Sequence, residues 1–215
     1  MALTKFNYNS FDVTTAASTG LAFNSSANGF DTAAPGAMTL IATNTISSGV
    51  SSSSFTSGID STYDTYIFKL INIHPATDGQ NFRFQASTDG GSNYGVTCTS
   101  TAFRAYHFED DSSTDFGYTT GNDLAQSTSY KQIFGTSGTD NDQGGCATIY
   151  IFSPSSTTFV KHFIMNTNTY THDNRSLHKL HAGYFNTTSA IDAFDFKFDS
   201  GNIDSGVIKM YGITK

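Results

Sequence analysis

Two short stretches concentrate the carboxylates of this chain. "FEDDSSTDFG", residues 108–117, gathers Glu109, Asp110, Asp111 and Asp115. "TDNDQGG", residues 139–145, places Asp140, Asn141 and Asp142 before a pair of glycines. Clustered carboxylates are the raw material of a calcium site or of an acid/base pair. The simpler reading is a solvated acidic loop for the first and a turn for the second. Glycoside hydrolysis needs two carboxylates facing one another across a cleft, and spacing along a chain does not supply that geometry.

Other chemistries meet similar limits. "NFRFQASTDGGSNYG", residues 81–95, has glycines after a strand pattern but no Lys, and it runs into "VTCTST", a second strand pattern, rather than a helix. That excludes a phosphate-binding loop. The alternate oxygen ligands and closing Glu of a calcium loop are missing too. Because Gly accepts positive φ, the stretch predicts a hairpin turn. Of the six histidines, "THDNRSLHKLH" clusters His172, His178 and His181, with His74, His107 and His162 elsewhere. On a strand His178 and His181 point to opposite faces, so they make no ready chelate, and no metal or other cofactor is expected. There is no GxSxG, no SxxK and no Cys with a patterned His, so the chain does not read as an enzyme. One binding chemistry stays open. Sugar rings stack on aromatic faces and carboxamides meet hydroxyls, and Tyr106, Tyr118, Tyr130 and Tyr170 lie in or near polar loops.

These residues must be positioned by strands. Only 13% of the 215 residues are charged, against about 25% in ordinary globular chains, while 19 Phe and 11 Tyr supply a large apolar area. The formal charge is −7, with no Lys/Arg cluster, which disfavours nucleic acid and anionic membrane surfaces. Neither a signal-peptide core nor a membrane-length apolar run is present. Cys98 and Cys146 both fall in strand patterns and read as reduced core thiols.

Residues 1–36 show no periodicity and read as an extended arm ending at "AAPGAM". From residue 37 to 215 about ten strand runs follow, without a convincing amphipathic helix. "YDTYIFKLINI" (63–73) is apolar on both faces and predicts a central, doubly covered strand. "IDAFDFKF" (191–198) alternates Phe194, Phe196 and Phe198 with Asp195 and Lys197, a half-buried strand. The fold class is all-β, an antiparallel sandwich or jelly roll.

Three segments go further: "SSSFTSGIDSTYDTYIFKLINIHPATDGQNFRFQASTDGGSNYG", "SPSSTTFVKHFIMNTNTYT" and "AGYFNTTSAIDAFDFKFDSGNIDSGVIKMYGI". Together they resemble virion proteins of the fibre and decoration kind, from phages of marine bacteria and cyanobacteria. The likeness covers residues of about 51–215, its ending is distinctive, and none of its motifs is catalytic. "MALTKFNYN" likewise resembles the attachment segments of such proteins.

The resemblance implies a jelly-roll homotrimer displayed on the virion, assembled in the host cytoplasm. It implies an arm (Lys5, Phe6, Tyr8, Phe11) docking on other virion proteins. Loops 108–122, 136–145 and 170–178 would then face a host surface glycan, with Glu109, Asp110, Asp111, Tyr118, Asp140, Asp142 and Tyr170 as contacts. Long fibres carry a shaft of repeats and this chain has only a short arm, which favours a knob, a tail-fibre module or a decoration protein. A capsid cement protein is the alternative, and a polysaccharide-degrading tailspike a more distant one.

Overall fold

The computed structural model describes residues 20–23, 30–33 and 38–213, and all regular elements among them are strands. The chain divides between residues 39 and 40 into two units. In the first, β1 (Gly20–Phe23) and β2 (Phe30–Ala33) pair antiparallel. The stretch expected to be an extended arm therefore holds a short hairpin.

The second unit is built from β3 (Met38–Ile46) from Leu40 on, β4 (Ser53–Phe55), β5 (Thr65–Pro75), β6 (Gln80–Ser87), β7 (Cys98–Phe108), β8 (Thr114–Tyr118) and β9 (Leu124–Ser127). After these come β10 (Lys131–Ser137), β11 (Gly144–Phe152), β12 (Lys161–Tyr170), β13 (Arg175–Phe185), β14 (Ala193–Phe198) and β15 (Ile203–Ile213). The large sheet has the order β3-β15-β5-β11-β12-β13-β7-β8, with β9 also on β7; the small sheet has the order β10-β6-β14-β4. Adjacent β5 and β15 on one sheet continue into adjacent β6 and β14 on the other. They form a doubled ribbon that crosses between the sheets.

The sheets pack face to face through phenylalanine, as the alternation in "NFRFQAS" and "IDAFDFKF" requires. Phe82, Phe84, Phe194 and Phe196 of the small sheet are fully buried. Phe68 of β5 meets Phe196 at 5.2 Å between ring centroids, and Phe84 meets Phe163 of β12 at 5.6 Å. Such pairs add about 0.5–1.5 kcal/mol each beyond area burial. The architecture is an antiparallel β-sandwich.

Several local expectations need correction. "DGGS" does turn, with Gly90 and Gly91 at φ 72° and 86°. Its flanking strands do not pair, however: β6 lies in the small sheet and β7 in the large one, so the turn is a bridge between sheets. Asp89 organises it, accepting from Ser87 Oγ (2.6 Å) and Asn93 Nδ2 (2.7 Å). β5 is central, but its outer face is covered only in part: Ile67 is buried while Ile71 is exposed. Both cysteines are free, yet only Cys98 is in the core; Cys146 points outward from β11. Asp195, expected on a wet face, is buried because Ser54 Oγ and Tyr130 OH donate to it at 2.6 and 3.0 Å.

Candidate functional site

At one end of the sandwich three turns are stitched together. The amide of Glu109, in the β7–β8 turn, donates to the Asn174 carbonyl in the β12–β13 turn at 3.0 Å. The His172 amide donates to the Thr136 carbonyl near the end of β10 at 2.9 Å. Beside them the outer face of the large sheet carries an open groove of about 500 Å³. Asn72, His74, Asn141, Asp142, Gln143, Cys146, Asn168, Tyr170 and Asp204 are among its lining residues. Two shallower hollows adjoin it through the shared Asn168. One is lined by His107, Glu109, Tyr170 and Ser176, the other by Thr148, Tyr150 and Asn166.

Local backbone geometry makes this hollow. The β5–β11 register slips between the pairs Gly145↔Ile73 and Ala147↔Leu70, and Asn72 takes φ 49° at the slip. Asn tolerates that region better than branched residues, and a bulge re-aims the side chains around it. On β12, Asn168 and Tyr170 are two residues apart and therefore share the outer face. Tyr170 OH lies 3.2 Å from Glu109 Oε2 as donor. Its pKa is raised, first by partial burial, then by the Glu109 bond and the charges of Asp142 and Asp140. His74 Nδ1 stands 3.5 Å from Asp204 Oδ2, and its Nε2 is 3.2 Å from the Asp140 carbonyl.

The residues expected to face a partner thus separate into two sets. Glu109, Asp142 and Tyr170 line the groove system, and Asp140 meets it through its carbonyl. Asp110 and Asp111 are exposed in the β7–β8 turn, the first accepting from the Ser112 amide and the second paired with His107 at 2.9 Å. Tyr118 lies on β8 and donates to Asp123 at 2.7 Å, outside the groove lining. Tyr106 and Tyr130 are half-buried, the former between the guanidinium groups of Arg104 and Arg175. Lys5, Phe6, Tyr8 and Phe11 lie outside the described residues.

Asn72, His74, Asn168 and Asp204 escaped sequence reasoning, because each sits inside or beside a strand and only the sheet brings them together. Among the described residues no Lys or Arg lines the three hollows, though Lys69 Nζ donates to Thr148 Oγ1 at 3.0 Å beside one of them. Amides, hydroxyls and carboxylates around a tyrosine suit hydroxyl-rich, uncharged ligands. Among the described residues no group of three His, Cys, Asp or Glu is placed to hold a metal. Comparisons with protein-family models, curated proteins and solved structures return no match.

Proposed function

We propose that the chain is a non-enzymatic virion surface protein, a short fibre or knob of jelly-roll type. It forms a homotrimer and contacts a host surface glycan. The observation that carries this reading is the groove system, where Tyr170, Glu109 and Asp142, far apart in sequence, meet amides in adjoining hollows with no Lys or Arg among their described lining residues. The doubled ribbon supports the jelly-roll assignment. Exposed apolar side chains on the outer face of the large sheet (Ile164, Leu180, Phe103 and Phe116) support contact with further protein surface.

Those same side chains favour the second reading, a capsid cement protein, since a lattice contact would cover them as well. Copy number on the particle separates the two. A few copies at the tail support a fibre; many copies on the head lattice support cement. The glycan reading is tested by titrating the protein with host surface polysaccharide. Tyr170→Ala is expected to weaken binding about tenfold, about 1.4 kcal/mol. Unchanged binding by that variant would remove the groove from the account.

A further inference from the structure

A second cluster lies inside the sandwich, around Asn122 in the turn between β8 and β9. Lys131 (0% exposed) and Gln132 (4%) reach it from β10, Lys179 (5%) from β13, and His181 (2%) lies against Lys131. Lys179 Nζ stands 2.7 Å from Asn122 Oδ1. The Asn122 amide nitrogen donates to Gln132 Oε1, and Lys131 Nζ donates to the Asn122 backbone carbonyl. Lys131 Nζ is 3.1 Å from His181 Nδ1. Among the described residues no carboxylate is hydrogen-bonded to either lysine. The charge of Asp123 acts on Lys131 without a direct bond, and two neighbouring buried amines with no hydrogen-bonded counter-charge are costly to keep protonated.

We propose that Lys179 and Asn122 condense into an intramolecular isopeptide bond. The uncharged amine of Lys179 attacks Cγ of Asn122. The Nζ–Cγ bond forms as the carbonyl electron pair moves onto Oδ1. The pair then returns, the Cγ–Nδ2 bond breaks, and Nδ2 departs as ammonia with one proton taken from Nζ. Lys131 and His181 lie beside the reacting groups to relay that proton. One amine and one primary amide give one secondary amide and ammonia, so no oxidant or other co-reactant is needed.

Three features favour the step. Gln132 fixes the orientation of the leaving amide, and the sandwich holds the buried Lys179 amine against the half-buried Asn122 amide. Burial, followed by the charge of Lys131, brings the Lys179 pKa down to about 7, so a large share of the amine is free at neutral pH. The product also removes one of two neighbouring buried cations. The proposal is independent of the groove and its ligand.

Peptide mapping by tandem mass spectrometry of the folded full chain tests it. The expected result is an intact mass lower by one ammonia and a branched peptide joining Asn122 to Lys179. Lys179→Met should abolish the branch, and Asn122→Asp should give the same branched peptide with loss of water. Circular dichroism establishes that both variants fold, and the unaltered chain decides the matter even where they do not. Linear peptides of unaltered mass would overturn the proposal. So would ammonia loss confined to a linear Asn122 peptide, the signature of succinimide formation.

Discussion

The groove and the buried cluster treat charge in opposite ways. In the groove, Glu109, Asp142 and Asp204 stand in an open hollow where water and a hydrogen-bonding tyrosine screen them. In the cluster, Lys131 and Lys179 are enclosed with only neutral acceptors. A carboxylate beside water costs the fold little, whereas an ammonium without a partner in the interior destabilises it. Positions that tolerate charge are therefore free to meet ligands. A position that does not tolerate it calls for another explanation, and covalent chemistry offers one.

The largest effect separating the two regions should come from pH. In an Asn122→Ala chain, which cannot form the bond, both lysines stay free amines. Their folded pKa values, about 7 for Lys179 and about 8 for Lys131, lie below the ordinary 10.5. Between those limits the unfolded chain binds more protons, so stability rises with pH. Urea midpoints should record a gain on the order of 4 kcal/mol from pH 7 to about 9.5. His181, held well below its usual 6.5 first by burial and then by the two lysines, adds a loss as pH falls below 6.5. Above pH 9 the rise slows, because burial pushes the Cys98 thiol from 9.0 up to about 12 while the unfolded thiol ionises first, an opposing contribution. In the bonded chain Lys179 no longer titrates, and the rise should start nearer pH 8.

Next in size, adding Lys179→Met to Asn122→Ala removes one buried cation while keeping most of the volume. It should raise stability at pH 6.5 on the order of 2 kcal/mol and flatten the pH profile. A fall in stability would mean that the lysine contributes through its hydrogen bond rather than costing through its charge. In the groove, Tyr170→Ala should leave the urea midpoint within about 0.5 kcal/mol of the unaltered chain. A larger loss would make Tyr170 structural and blur the contrast. The smallest effect belongs to Asp89, whose pKa is lowered to about 2 from 3.8, first by its Ser87 bond and then by Asn93. Its stabilising contribution is complete above 3.8 and lost as pH falls toward 2. Asp89→Asn should make acid unfolding slightly less steep in that window.

Much of the sandwich was legible in the chain because alternation reports directly on a two-faced strand. Phe82 and Phe84, and Phe194, Phe196 and Phe198, fall inside as their spacing requires. Pairing partners were less legible. "DGGS" specifies a turn, but which sheet each flanking strand joins depends on β14 and β13, about a hundred residues away. The acidic turns announced half of the groove, since Glu109, Asp142 and Tyr170 sit at strand ends. Its floor, with Asn72 and Asn168, depends on a register slip that composition does not encode. The Lys179–Asn122 contact left no trace in the sequence at all. It joins two ordinary polar residues across 57 positions, and only the burial of both lysines marks it.

The doubled ribbon has a consequence for how the chain is made. β14 lies between β6 and β4, and β15 lies between β5 and β3, so the last two strands occupy interior places in both sheets. Neither sheet can close while residues 193–213 are still in the ribosome. Until then the phenylalanine faces of β5 and β6 wait for partners more than a hundred residues downstream. Folding dominated by such distant pairings is slow, and the waiting chain is open to aggregation.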